Sequence, residues 1–189
     1  AEVNAPATTT PGRVLVTGGA SGLGAAVVDA VLKAGGTPVV LDRDISSVSA
    51  VKAFEVDVSD RAAVEAAVKE AAESLGGLEA VVTAAGIDRC GKLADVEAAE
   101  WEKVIGVNLM GTVSVVRAAL PYLKASHGRV VTVASTLGKR AVADATAYCA
   151  SKFGVVGFSH ALAAETGGEI GVTTMIPGGM KTRFFDDRT

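Results

Sequence analysis

The chain has 189 residues, 49% of them apolar and only 4% aromatic, with a formal net charge of −3. That length predicts one compact unit with a core of Val, Ala, Leu and Ile. The mild acidity argues against a nucleic-acid surface, and no apolar run in the sequence reaches the ~18 residues of a membrane span.

Residues Ala1 to Pro11 have no basic start and no apolar core, so they do not read as a secretory signal. Their Ala, Thr and Pro content predicts a disordered lead-in over 1–12, ahead of a single domain over 13–189. A buried strand is predicted at 13–18, where Arg13 precedes Val14-Leu15-Val16-Thr17. Gly18-Gly19-Ala20-Ser21-Gly22-Leu23-Gly24 follows, and then an amphipathic helix over 22–34 through Val27, Val28, Val31 and Leu32. Strand, glycine turn and helix form the context of a dinucleotide-binding loop. Glycines let the backbone approach a pyrophosphate, and the N–H groups and dipole of the helix N-terminus hold its charge. Gly18, Ser21, Gly22, Leu23 and Gly24 are therefore candidate cofactor-binding residues. The spacing is G-x3-G-x-G rather than G-x-G-x-x-G, and a plain glycine turn is the competing reading.

Further strands are predicted at 37–42, 53–58, 78–84, 128–134 and 171–176, and helices at 60–74, 97–124 and 146–166. Strands that alternate with helical patterns indicate βαβ units. The fold class is α/β, a doubly wound parallel sheet of the Rossmann type in three α/β/α layers. Its ligand belongs over the C-terminal strand ends at the switch point. The link from Asp42 to Ala53 leaves room for a helical turn or two at most. Asp42, at the end of the second strand, is placed to accept hydrogen bonds from ribose hydroxyls and to repel a 2′-phosphate, which favours NAD(H) over NADP(H). Arg43 is the counter-signal, since a guanidinium grips a 2′-phosphate well.

Tyr148 and Lys152 are four residues apart and share one helix face. A phenol ionises near pH ~10, and an adjacent ammonium favours its phenolate. Such a pair exchanges protons with an alcohol oxygen, although exposed helices also produce the spacing by chance. Asn108 falls on the apolar stripe of helix 97–124, along with Trp101, Val104, Val115 and Ala119, so its amide needs buried partners.

Thr17-Gly18-x3-Gly22-x-Gly24, taken with Ser135, Tyr148 and Lys152, resembles the short-chain dehydrogenase/reductase family. The likeness runs from about Arg13 to Thr182. Asp57-Val58 ending the third strand, Ala84-Ala85-Gly86 ending the fourth, Asn108 in a long helix, and Pro177-Gly178 with Thr182 after the sixth strand fall in the family's order. Thr83 stands where the family usually has Asn, and family members usually continue well past Thr182. The resemblance implies an oxidoreductase that moves hydride between NAD(H) and a secondary alcohol or ketone. Ser135 would hold the substrate oxygen, Tyr148 would act as general acid and base, and Lys152 would bind the nicotinamide ribose. Asn108 would hold a relay water, Asp57 would meet the adenine (turn capping is its rival role), and Thr182 would contact the carboxamide. The alternatives are a non-catalytic cofactor-sensing module and a nucleotide-sugar epimerase or dehydratase.

The substrate is expected to lie between residues 136–146 and 88–92, where Lys139 and Arg140 are either anion contacts or ordinary surface charge. His127 and His160 read as surface residues, and no metal-ligand cluster stands out. Two cysteines are too few for a disulfide framework and suit a reducing cytoplasm. Cys149 reads as a packed small residue. Apolar Val113, Val116 and Leu120 on one helix, with Val155, Phe158 and Leu162 on another, exceed what a monomer should expose. They predict a homodimer, or a tetramer if more chain follows Thr189.

Overall fold

A computed structural model of the chain describes residues 9–179. Residues 1–8 of the expected lead-in, and Thr182, lie outside them. Among the described residues, six strands and five α-helices follow one another in this order: β1 (Arg13–Thr17), α1 (Gly22–Lys33), β2 (Thr37–Asp42), β3 (Lys52–Glu55), α2 (Arg61–Leu75), β4 (Ala80–Thr83), α3 (Ala98–Ile105), α4 (Thr112–Ser126), β5 (Arg129–Val133), α5 (Thr146–Thr166) and β6 (Gly171–Met175).

The strands form one sheet in the order β3-β2-β1-β4-β5-β6, and every pairing is parallel. This is the doubly wound order, with its switch point between β1 and β4. Parallel strands covered on both faces read as continuous apolar runs, and the alternation along β1 shows how. Val14 and Val16 point to one face, where they pack with Val28 and Val31 of α1. Leu15 points to the other, with Val64 and Val68 of α2 and Val115 and Leu123 of α4. Leu15, Val39, Val81 and Val130 are wholly buried, and each such side chain is worth about 1.5–3 kcal/mol relative to exposure.

Local signals explain the helix ends. Asp60 caps α2 by accepting from the Ala63 N–H at 3.1 Å, and Gly76 ends it in the left-handed region at φ 75°. Val64, Ala67, Val68, Ala71 and Ala72 give α2 its buried stripe.

Four expectations are corrected. β3 stops at Glu55, not 58, because Asp57 turns the chain: its Oδ1 accepts from the Ser59 N–H (2.9 Å) and hydroxyl (2.6 Å). β4 ends at Thr83, so Ala84-Ala85-Gly86 form the exit loop. The helix expected over 97–124 is α3 and α4 joined through a π-helical segment, Gly106–Gly111. This run, Ala98–Ser126, is long and apolar enough to cross a membrane by length and composition. Its apolar stripe instead covers the sheet, with Val107, Val115, Val116, Ala119 and Leu123 all in the main core. The expected apolar surplus also shrinks. Val116, Val155 and Leu162 are buried, while Leu120 and Phe158 are partly buried against the core. Met110 and Phe153 are the large apolar side chains exposed on this side.

Candidate active site

The C-terminal strand ends open into a cleft of about 1320 Å3, larger than the ~300–1,000 Å3 of an ordinary ligand pocket. It is lined by Gly18, Ser21, Gly22, Leu23 and Gly24, by Asp42, Arg43, Asp57 and Val58, by Ala84, Ala85 and Gly86, and by Ser135, Tyr148, Lys152, Pro177 and Gly178. Residues as far apart in the chain as Gly18 and Gly178 thus line one cleft. Buried Asn108 lies just behind it.

The glycine loop is fixed by close approach. Gly18 has φ 67°, and a Cβ on it would stand 2.8 Å from the Ala85 backbone. A Cβ on Gly24 would stand 2.0 Å from the Gly18 carbonyl oxygen. Only glycine fits either place. Thr17 ties the loop to β4, its Oγ1 accepting from the Ala85 N–H at 3.2 Å. No side chain caps the first turn of α1, and no acidic residue sits in it. Its N–H end therefore faces the cleft without a negative charge of its own, which suits a pyrophosphate.

At the far end of the loop the Asp42 carboxylate accepts from Ala20 N–H (3.0 Å) and Asp44 N–H (3.2 Å). Its position is set by the loop it serves. Asp57 is held below the usual carboxylate range by its hydrogen bonds from Ser59. Turn capping is thus a role Asp57 has in the fold, and its side chain also lines the cleft.

The other end is built by β5 and α5. Ser135 follows β5, and its Oγ accepts from the Leu137 N–H at 3.1 Å, capping a short 3-10 turn, Thr136–Gly138. Tyr148 and Lys152 are both 5% exposed. The Lys152 Nζ stands 5.5 Å from the centre of the Tyr148 ring and donates to the Val133 carbonyl at 2.9 Å. Burial pushes the Lys152 pKa down to about 8, and the Asp88 carboxylate pulls weakly the other way.

Asn108 is 1% exposed. Its Oδ1 accepts from Ile87 N–H at 2.8 Å, and its Nδ2 donates to Ile87 O at 2.9 Å and to Ser151 Oγ at 3.1 Å. The amide pins the β4 exit loop to α5. Ser151 was not singled out in the sequence, yet it is wholly buried and passes the contact on, donating to Tyr148 O at 2.8 Å. Its signal was helical period: Tyr148, Ser151, Lys152, Val155, Ser159 and Leu162 all lie on the buried face of α5. Thr83 is buried, and its hydroxyl has no hydrogen-bond partner among the described residues.

Asp88, Arg89 and Cys90 reach the cleft, but Lys139 and Arg140 do not line it. Arg89 pairs with Glu100. Cys149 packs with Ala145 and Tyr148 as a small core residue. His127 and His160 are exposed.

A family model for short chain dehydrogenases matches residues 12–189. The chain belongs to this family. Short-chain dehydrogenases are NAD(P)-dependent oxidoreductases that act on CH–OH groups and the corresponding carbonyls. The chain is 36% identical over 176 residues to a D-threitol dehydrogenase of Mycolicibacterium smegmatis, covering 86% of this chain and 68% of that protein. It is 36% identical over 164 residues to a Sphingomonas protein named 2-dehydro-3-deoxy-L-rhamnonate dehydrogenase (NAD(+)), covering 82% and 66%. The ligand-free aldohexose dehydrogenase of Thermoplasma acidophilum superposes with a TM-score of 0.88 at 25% identity, over 92% of this chain and 68% of that one. The chain thus spans about two thirds of the length of these short-chain dehydrogenases.

Proposed function

We propose that this short-chain dehydrogenase interconverts a secondary alcohol and its ketone with NAD(H), using Tyr148 as the general acid and base. The observation that carries the reading is the buried Lys152 ammonium beside the Tyr148 ring, at the same end of the cleft as Ser135. When bound, the nicotinamide ring supplies or accepts the hydride. The residues of the chain hold the substrate and move the proton.

Ser135 donates to the substrate oxygen and holds it toward Tyr148. In the reducing direction the Tyr148 hydroxyl gives its proton to that oxygen; in the oxidising direction the phenolate takes it back. A positive Lys152 lowers the cost of the phenolate. With a pKa pushed to about 8, Lys152 also gains and loses a proton close to neutral pH, which suits it to resupply Tyr148. Asn108 has both amide N–H groups engaged, so a relay water beside it is held through an oxygen.

Gly18, Ser21, Gly22, Leu23 and Gly24 would hold the pyrophosphate, and Asp42 the adenosine ribose. Val58, Ala84, Ala85 and Gly86 would flank the adenosine half, and Pro177 and Gly178 the nicotinamide. The Asp42 carboxylate and a loop without basic residues support NAD(H) over NADP(H), as does the Sphingomonas relative's printed cofactor. Arg43 opposes it. Two cysteines, too few for a disulfide framework, support a cytoplasmic setting. The test is a titration with NADH and NADPH, then a panel of secondary alcohols and ketones followed at the cofactor absorbance. No turnover across a broad panel, despite tight NADH binding, would leave a binding module instead.

A further inference from the structure

We propose that Gly138 is a positioning residue whose missing side chain sets the distance between the Ser135 hydroxyl and the Tyr148–Lys152 face of α5. The inference rests on the roles given above to Ser135, Tyr148 and Lys152.

The chain leaving β5 wraps around Lys152. Val133 O takes the Lys152 ammonium at 2.9 Å. Five residues later Gly138 lies against the backbone of the same residue. A Cβ on Gly138 would stand 2.7 Å from the Lys152 carbonyl oxygen and 2.9 Å from its carbon. Carbon does not approach a carbonyl that closely, so a methyl group there forces something to move. Gly138 is not among the positive-φ residues, so space, not backbone freedom, demands the glycine.

α5 is the stiffer partner. It is a 21-residue helix, with Ser159 and Leu162 anchored in the interior. The turn therefore yields. It is small and internally bonded: Gly138 N–H donates to Ser135 O at 2.9 Å, and Leu137 N–H to Ser135 Oγ at 3.1 Å. A push at Gly138 reaches the hydroxyl of Ser135 through those two bonds. On the opposite side Thr136 N–H donates to Pro177 O at 3.0 Å, so the push continues into the loop after β6. Misplacing a reacting group by about 1 Å costs up to ~10²-fold in rate. The glycine loop and Asp42 lie at the other end of the cleft, so dinucleotide affinity is largely spared.

The experiment measures kcat and the NADH dissociation constant for Gly138→Ala, with Gly157→Ala as control. Gly157 lies on the outer side of α5 with nothing within 4 Å of a new Cβ. Gly138→Ala is expected to lower kcat by about 10- to 100-fold with NADH affinity held within about threefold; Gly157→Ala matches wild type in both. In a Ser135→Ala background the same Gly138 substitution should cost no more than about threefold, because its effect runs through that hydroxyl. Unchanged kcat in folded Gly138→Ala, or an equal loss with and without Ser135, overturns the proposal. If Gly138→Ala does not accumulate as folded protein, Leu137→Ala replaces it. Leu137 joins the same turn to the cluster of Ala145, Tyr148 and Cys149, and its loss should lower kcat with NADH affinity kept; unchanged kcat again overturns the idea. Tyr148→Phe is run alongside. Full turnover there sinks the functional reading itself, whereas an inactive Tyr148→Phe beside a fully active Gly138→Ala sinks only this one.

Discussion

The Lys152 ammonium lies 5.5 Å from the centre of the Tyr148 ring and, at 2.9 Å, under the carbonyl of Val133. Its own helix supplies the phenol and the neighbouring strand end supplies the acceptor. The ammonium is thereby kept on the Tyr148 ring although it is almost fully buried.

Replacing Tyr148 by Phe keeps the ring and its packing but removes the exchangeable proton. NADH binding should stay near wild type while turnover falls by at least ~10²-fold, the scale of a positioned acid or base. Stopped-flow and steady-state rates on the best alcohol of the panel decide it, and retained turnover removes Tyr148 from the mechanism.

The buried Lys152 makes stability depend on pH. Its folded pKa is pushed down to about 8 from 10.5. Between those values the unfolded chain holds a proton that the folded chain has released. Stability from this group therefore rises with pH through that window, toward a ceiling of about 3 kcal/mol. Urea midpoints of the cofactor-free protein at pH 7.5 and 9.5, compared with Lys152→Met, should show wild type gaining on the variant at the higher pH. A pH-independent gap would mean that Lys152 is not desolvated as described.

NADH should bind tighter than NADPH by at least ~1.4 kcal/mol, a tenfold ratio. Asp42→Asn is the sharper probe. It removes the charge and keeps an acceptor oxygen for one of the two N–H groups, Ala20 or Asp44, that the carboxylate serves. The ratio should fall toward one, with the gain on the NADPH side. A wild type that prefers NADPH would show Arg43 outweighing Asp42.

Met110 and Phe153 leave 52% and 44% of their surface exposed, and we expect a homodimer or tetramer that covers them. Light scattering at micromolar concentration should give a multiple of the chain mass, and Phe153→Glu should reduce it. A clean monomer would assign the rest of the apolar helix surface to ordinary core, as already holds for Val116, Val155 and Leu162.

Much of the sheet was legible because β1, β2, β4 and β5 are short, largely apolar runs that lead into residues lining the cleft. Periodicity placed α1, α2 and α5 to within a residue or two. The π-helical segment was not legible, since apolar residues continue through Val107 and Leu109 without a break in hydrophobicity. Asn108 stood out as a polar residue on an apolar stripe, but its partners Ile87 and Ser151 are 21 and 43 residues away. Asp57 read as a strand end because Val56 and Val58 flank it; the Ser59 hydroxyl that turns the chain is a local bond with little pattern. Gly138 gave no signal at all, because the atom it makes room for belongs to Lys152.

β4 lies beside β1 rather than beside β3, and the contacts that seal this junction join distant positions: Arg13 with Glu79, and Thr17 with Ala85. The first 55 residues alone have no groove between β1 and β4, and the groove forms when β4 docks. A molecule held there is therefore held by the assembled sheet and by no earlier stage of it. By mass action, a ligand at 100 times its dissociation constant adds about 2.7 kcal/mol to the whole fold. The melting temperature of this chain should thus climb with the concentration of its dinucleotide, with no substrate present.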